Sequence, residues 1–190
     1  MITVFEIGGN GIWTGATREI GEADGLLGPW TRSPVPALAE GEYAEFDGIG
    51  WRIVTAAEWL DVRKRAKRDA VSALIDAKLS GGYVHNFGEP FGEKRLQTRN
   101  IEDRTNWLTS QASYSAAVAG GAGAIMGAAF RSEDNVNITL SYADGLDVLL
   151  AMAGWGAAHY ARSWALKDLI TAAEDEAALE AIDIESGWPA

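Results

Sequence analysis

The run SYADGLDVLLAMAGWGAAHYARSWALKDLITAA, Ser141 to Ala173, decides what kind of fold this chain makes. Ser141 followed three residues on by Asp144 is a helix start: the hydroxyl satisfies an amide that the first turn leaves without a partner. No proline interrupts the run as far as Ala173, so the spacing predicts one long helix. A membrane helix needs roughly 18 uncharged apolar residues, and Ala143 to Tyr160 comes near that length. It carries Asp144, Asp147 and glycines, so it reads as a buried helix instead. Gly154 and Gly156 each weaken a helix by roughly 1 kcal/mol against alanine. Close backbone approach to another helix is a use for them. Beyond the run, Asp175 is placed to cap a last short helix ending near Asp183.

Upstream, two more helices alternate with strand pairs. Thr55-Ala-Ala-Glu58 is a capping box. Trp59, Val62, Ala66, Ala70, Ala73 and Ala77, with Val71, Leu74 and Ile75, follow at helical spacing and are expected inward. The helix should stop near Leu79, before Gly81 and Gly82. Arg63, Lys64, Arg65, Lys67 and Arg68 populate its exposed arc. Tyr83 to Phe87 alternates as a strand does, Gly88 to Gly92 turns, and Glu93 to Thr98 pairs back. Asn100 with Asp103 opens a second helix, with Ile101, Leu108, Ala112, Ala116 and Ala119 inward and Trp107 near the edge of that stripe. Ala128 to Arg131 and Val136 to Leu140 suggest a second hairpin.

The first 54 residues are different in kind, rich in glycine, proline and tryptophan. Thr3 to Ile7 reads as a strand, Gly8 to Gly11 as a turn, and Ile12 to Ile20 as extended chain. Gly28 to Pro36 reads as a rigid, non-helical connector holding Trp30. Glu42 to Phe46 and Trp51 to Val54 make a hairpin around Asp47-Gly48, with Trp51 expected inside beside Tyr43. The fold class is therefore α+β: a small all-β hairpin module, residues 1–54, followed by a helical domain with two β-hairpins, residues 55–190.

The chain has 190 residues, about half of them apolar, and no cysteine, so neither a disulfide framework nor a thiolate metal site is available. The start of the chain lacks the basic and apolar segments of a signal peptide. Its formal charge is −11, unevenly spread. Residues 1–60 hold nine acids against three bases, residues 61–104 seven against ten, and residues 105–190 eleven against three. An acidic chain repels nucleic acid and anionic membrane over most of its surface, so neither is expected as a partner.

No catalytic constellation stands out. A glycosidase needs two carboxyls facing across a cleft, one with a raised pKa. Glu102 with Asp103, Glu133 with Asp134, and Glu174 to Glu176 lie at helix starts or turns, where acids are structural. His85 and His159 are far apart and lack the three or four ligands of a zinc site. His85 alternates with Tyr83 and Phe87, which favours packing. Gly120, Gly121, Gly123 and Gly127 do not have phosphate-loop spacing. The small residues from Ala116 to Ala129 suit close packing of copies. Exposed tryptophans can stack on sugar rings, which makes Trp13 and Trp30 candidate binding residues. No cofactor, no metal and no enzymatic activity is expected.

The order of these segments resembles a domain of unknown function found in tailed-bacteriophage tail proteins. The resemblance covers residues 61–189. It rests on Lys67, Arg68 and Asp69; Gly82, Tyr83, Phe87 and Phe91; Arg131, Asp134, Asn135, Val136 and Thr139; Ala161, Lys167 and Asp168; and Ile182 to Pro189. Gly41 to Asp47-Gly48 and Trp51 resemble the short modules of phage tail-fibre proteins, and the aromatic-Asp-Gly-x-x-Trp pattern is also similar to small chitin-binding modules. The resemblance brings no catalytic residues. It implies a structural component of a phage tail (tip, baseplate or fibre), made in the cytoplasm of the bacterial host and located in the virion. It would serve assembly and host attachment. Its partners would be other tail proteins and copies of itself, a trimer being favoured, with a host surface glycan as a further partner. Trp30, Trp188 and the basic arc, Arg63 and Arg65 above all, are the expected contact residues. The alternatives are a tail-fibre assembly chaperone absent from the virion and a carbohydrate-binding module using Trp13 and Trp30.

Overall fold

A computed structural model describes residues 1–9 and 11–189. Asn10, in the expected first turn, and Ala190 lie outside the described residues. The chain is α+β and divides into two units, Met1–Ala66 and Lys67–Ala190. The boundary expected at residue 54 falls later, inside helix α1 (Ala56–Ser80). The first turns of α1 belong with the strands because Trp59 is buried with Ile12 and Val54, Tyr43 and Val62 packing over them.

In the N-terminal unit, β1 (Ile2–Ile7), β2 (Trp13–Ile20) and β3 (Trp30–Thr31) form an antiparallel sheet in the order β2-β1-β3. The connector was expected to form no central strand. Trp30 and Thr31 pair with Glu6 and Phe5 at a sheet edge, where the prolines on either side have no ladder bond to break. β4 (Glu42–Phe46) and β5 (Trp51–Thr55) form the expected hairpin. The Asp47 carboxylate accepts from the amides of Ile49 and Gly50 at 2.8 Å, closing the turn. Those bonds hold its carboxyl below the usual carboxylate range. Trp51 and Tyr43 do not share a face as expected. Trp51 lies opposite Phe46 and Tyr43 opposite Val54, and neighbouring pairs alternate between faces. Trp51 meets the Phe46 ring edge-on at 5.0 Å, and Tyr43 meets Trp59 at 5.6 Å.

The C-terminal unit holds the rest of α1, two hairpins and three helices. The hairpins are β6 (Tyr83–Asn86) with β7 (Glu93–Leu96), and β8 (Met126–Arg131) with β9 (Asn137–Ser141). The helices are α2 (Ile101–Ala119), α3 (Tyr142–Ala172) and α4 (Glu176–Glu180). Each begins where its cap was read. The side chains of Asn100, Ser141 and Asp175 accept from the amides of Asp103, Asp144 and Ala178. For α1, Thr55 Oγ1 and the Glu58 carboxylate exchange the two bonds of a capping box. α4 ends three residues before the expected Asp183.

The core of this unit is Leu96, Tyr114, Ala128, Phe130, Ile138, Val148, Leu149 and Met152. Two glycines let its parts close up. A Cβ on Gly145 would overlap the Cβ of Ala128, and one on Gly127 would overlap the Tyr142 ring. β8 and the start of α3 are thus in backbone-close contact.

Three inward stripes differ from expectation. On α1, Val71, Ile75 and Leu79 are buried, while Ala66, Ala70, Ala73 and Ala77 are exposed. Burying a large aliphatic side chain returns more than burying a methyl, so the helix rolls onto the larger residues. On α2, Trp107 and Tyr114 face inward and Ile101 and Leu108 are exposed, because the aromatic rings carry the larger apolar area. On α3, only one side is buried. A Cβ on Gly154 or Gly156 would meet nothing within 4 Å among the described residues. Among the described residues, no helix is long and apolar enough to cross a membrane.

Candidate functional site

Trp13 and Trp30, both expected to bind a partner, do not share a face. Trp13 pairs with Ile7 and Trp30 with Glu6, which puts the two rings on opposite faces of the β2-β1-β3 sheet. Arg18 covers Trp30, its guanidinium carbon 4.5 Å from the ring centroid. The Trp13 indole donates to the Ala16 carbonyl at 3.2 Å. A flat platform of two tryptophans is therefore absent from this sheet.

The basic arc of α1 is partly turned to internal work. Arg63 lies 5.7 Å from the Trp59 ring centroid. Lys67 donates to the Leu179 carbonyl at 2.6 Å and to that of Glu180 at 3.5 Å, closing the end of α4. Arg65 is exposed, with its Nε 3.4 Å from the Asp61 carbonyl one turn back.

The acid clusters are likewise structural. Asp103 accepts from Arg99, the main cause of a carboxyl held below its ordinary range. Asp134 sits 2.6 Å from Lys94 and accepts from Ser132, with the same effect on its carboxyl. Glu133 lies 3.9 Å from Arg95. These shifts run opposite to the raised pKa that a general acid needs. The glycine cluster ends α2: Gly120 donates to the Ala116 carbonyl at 2.9 Å, and Gly121 takes a φ of 82°.

The histidines pack among aromatic rings. His85 lies between Tyr83 and Phe87, with Tyr83 Oη 3.2 Å from its Nδ1. Burial lowers the His85 pKa and raises that of Tyr83. His159 is buried between Trp155 and Trp188, with its Nδ1 3.0 Å from the Trp155 carbonyl. Trp188 is thus an anchor of its own chain. Its indole stacks over His159 and donates to the Ile184 carbonyl at 2.8 Å, while Arg162 donates to the Ser186 carbonyl at 2.9 Å. Together these contacts strap the C-terminal segment along α3.

What sequence reasoning missed lies on α2 and α3. The two helices run antiparallel: Tyr114 meets Tyr142 at one end, and Arg104 and Trp107 approach Trp155 and Tyr160 at the other. Between them opens a cleft of about 210 Å³, floored by Leu79, Trp107, Leu149 and Met152 and rimmed by Leu108 and Tyr160. The Thr98 hydroxyl beneath it is tied to the Leu79 carbonyl, and Arg104 Nε donates to the Thr98 carbonyl at 3.3 Å. Beside the cleft the outward surface stays uncharged and exposes several large apolar side chains. Leu108 is 66% and Trp164 62% exposed, and Ile101, Leu150 and Tyr160 are exposed too, with Ala112, Ala153, Gly154, Ala157 and Ala161 among them. The chain carries no Asp, Glu, Lys or Arg from Thr105 to Phe130, nor from Val148 to Ala161. That absence of charge over exposed helix was the available signal. Inward-facing residues alone would also be uncharged, which is why the pattern passed as core.

A family model described as Domain of unknown function (DUF4376) matches residues 62–186. The chain belongs to the DUF4376 family. No curated protein and no solved structure matches it. The DUF4376 match takes in the cleft, both uncharged helices and most of the C-terminal strap, and leaves the N-terminal strands outside. The bare face is therefore a feature of this chain's DUF4376 domain.

Proposed function

We propose that this protein is a structural component of a bacteriophage tail, at the tip, baseplate or fibre, whose DUF4376 domain serves assembly. The setting comes from the resemblance of residues 61–189 to a domain of phage tail proteins. The single observation that supports an assembly role is the uncharged, exposed face of α2 and α3. An apolar helix face left exposed within its own unit is suited to burial in a larger particle. In this reading the protein is made in the host cytoplasm and ends in the virion, as a homo-oligomer in contact with other tail proteins.

The test is quantitative mass spectrometry of purified particles from the host that carries the gene, calibrated against the major tail protein. A low, fixed copy number is the expected result. Abundance in the infected lysate with absence from particles would sink this reading and favour an assembly chaperone.

A further inference from the structure

We propose that the outward face of α2 and α3 is a self-association surface, covered in solution by the same face of a second copy of this chain. The surface consists of Ile101, Leu108 and Ala112 on α2 and of Leu150, Gly154, Ala157, Tyr160, Ala161 and Trp164 on α3.

Area is the first argument. The exposed parts of these side chains come to on the order of 700 Å², aromatic residues alone carrying 150–250 Å² each when whole. A stable complex takes about 800 Å² from each partner. One helix would not suffice, but the two side by side reach that scale.

Charge is the second argument and selects the occupant. The chain carries −11 overall, yet its α2–α3 face carries no charge between Thr105 and Ala119 or between Val148 and Ala161. Interface cores are depleted of charge in this way. A charged partner surface would lose its hydration there and gain no ion pair. The occupant must present an equally uncharged face, and a second copy does so by construction. A pair of such copies brings four helices together around one apolar layer, the arrangement of a helix bundle, and a two-fold axis closes it without leaving an open end.

The glycines are the third. Gly154 would have open space around a Cβ and costs the helix roughly 1 kcal/mol against alanine, with no close contact to offset it among the described residues. At the centre of a helix-to-helix contact, its missing side chain allows close backbone approach.

The experiment is sedimentation of the full chain across a concentration series, at low and at high salt. The expected result is twice the chain mass at high concentration, dissociating on dilution. Association should tighten as salt screens the repulsion between two acidic chains. The double variant Leu108→Glu with Trp164→Glu should dissociate at least about 30-fold more readily, since a central tryptophan is a typical hot spot. Ala157→Glu, a single change at an exposed helical position, should act in the same direction if the double variant folds poorly. Ile49→Glu, on the other unit, should change nothing. A wild-type chain that stays at one chain mass throughout overturns the proposal. So does a multimer that persists in a folded Ala157→Glu chain, or one that loosens as salt rises. The inference does not rest on the phage reading: absence from particles would leave self-association standing, and a monomer could still be found in a virion.

Discussion

Both sides of α3 carry apolar residues, and their fates are opposite. One side presents Gly145, Val148, Leu149, Met152, His159, Ser163, Leu166 and Ile170, all buried. The other presents Leu150, Gly154, Ala157, Ala161 and Trp164, all exposed. On the buried side the covering is visible: Gly145 lets β8 approach until Ala128 fills the space where a Cβ would stand. On the exposed side a glycine of the same helix has nothing near it. An apolar pattern thus states that a face is fit to be covered, and leaves open whether the chain itself supplies the cover. An apolar face left outside is suited to burial in something larger, and on α3 it runs from Leu150 to Trp164, between Asp147 and Asp168.

The largest effect that would test this contrast is on the buried glycine. Gly145→Ala forces a methyl into the Cβ of Ala128, with Phe130 and Tyr114 close behind. Overpacking of this kind costs roughly 2–3 kcal/mol. Urea unfolding should show a lower midpoint with little change in slope. A loss below about 0.5 kcal/mol would mean that β8 and α3 can part without cost, and the close contact would not be what locks the core.

Gly154→Ala should go the other way. The new methyl meets nothing within 4 Å among the described residues, so the unfolding free energy measured in dilute solution should rise by up to about 1 kcal/mol. If the face also packs on a copy, the same change should weaken self-association. Opposite signs in the two measurements separate a glycine kept for contact between chains from one of no consequence. Equal stability and unchanged association would remove the glycine from the argument.

Much of the fold could be read in advance because its signals are local. The caps at Thr55, Asn100, Ser141 and Asp175 announce their helices, since each satisfies amides that a helix start leaves without partners. The Asp47-Gly48 turn announces its hairpin in the same way. Faces were harder. Ala66, Ala70, Ala73 and Ala77 have helical periodicity, but so do Val71, Ile75 and Leu79, and only the competition between burying methyls and burying larger side chains decides the rotation. Leu108 fails for the same reason against Trp107 and Tyr114. The surroundings of the binding candidates were the least legible. An exposed-looking tryptophan such as Trp188 or Trp30 carries no mark in sequence that says it will stack on His159 or lie beneath Arg18. Those contacts join residues distant in the chain, and only the fold brings them together.

The smallest effect sharpens the buried side of the comparison by titration. β6 lies against that side of α3, with Tyr83 5.7 Å from Trp155. Two residues on, burial lowers the His85 pKa from its ordinary 6.5. A histidine whose pKa is depressed by folding takes up its proton first in the unfolded chain. Its contribution to stability is then full above about pH 6.5 and is lost as the pH falls through that value toward the folded pKa. The lowered carboxyls of Asp103, Asp134 and Asp183 act in the same direction but only below their ordinary 3.8, so they leave the window from pH 7.5 to 5.5 clear. Thermal unfolding across that window should show a modest decline in midpoint for the wild-type chain and a flatter profile for His85→Gln. Since His159 is common to both proteins, the difference in slope belongs to His85. Identical slopes would mean that water reaches β6 freely, and the strand would then not seal the inner face of α3.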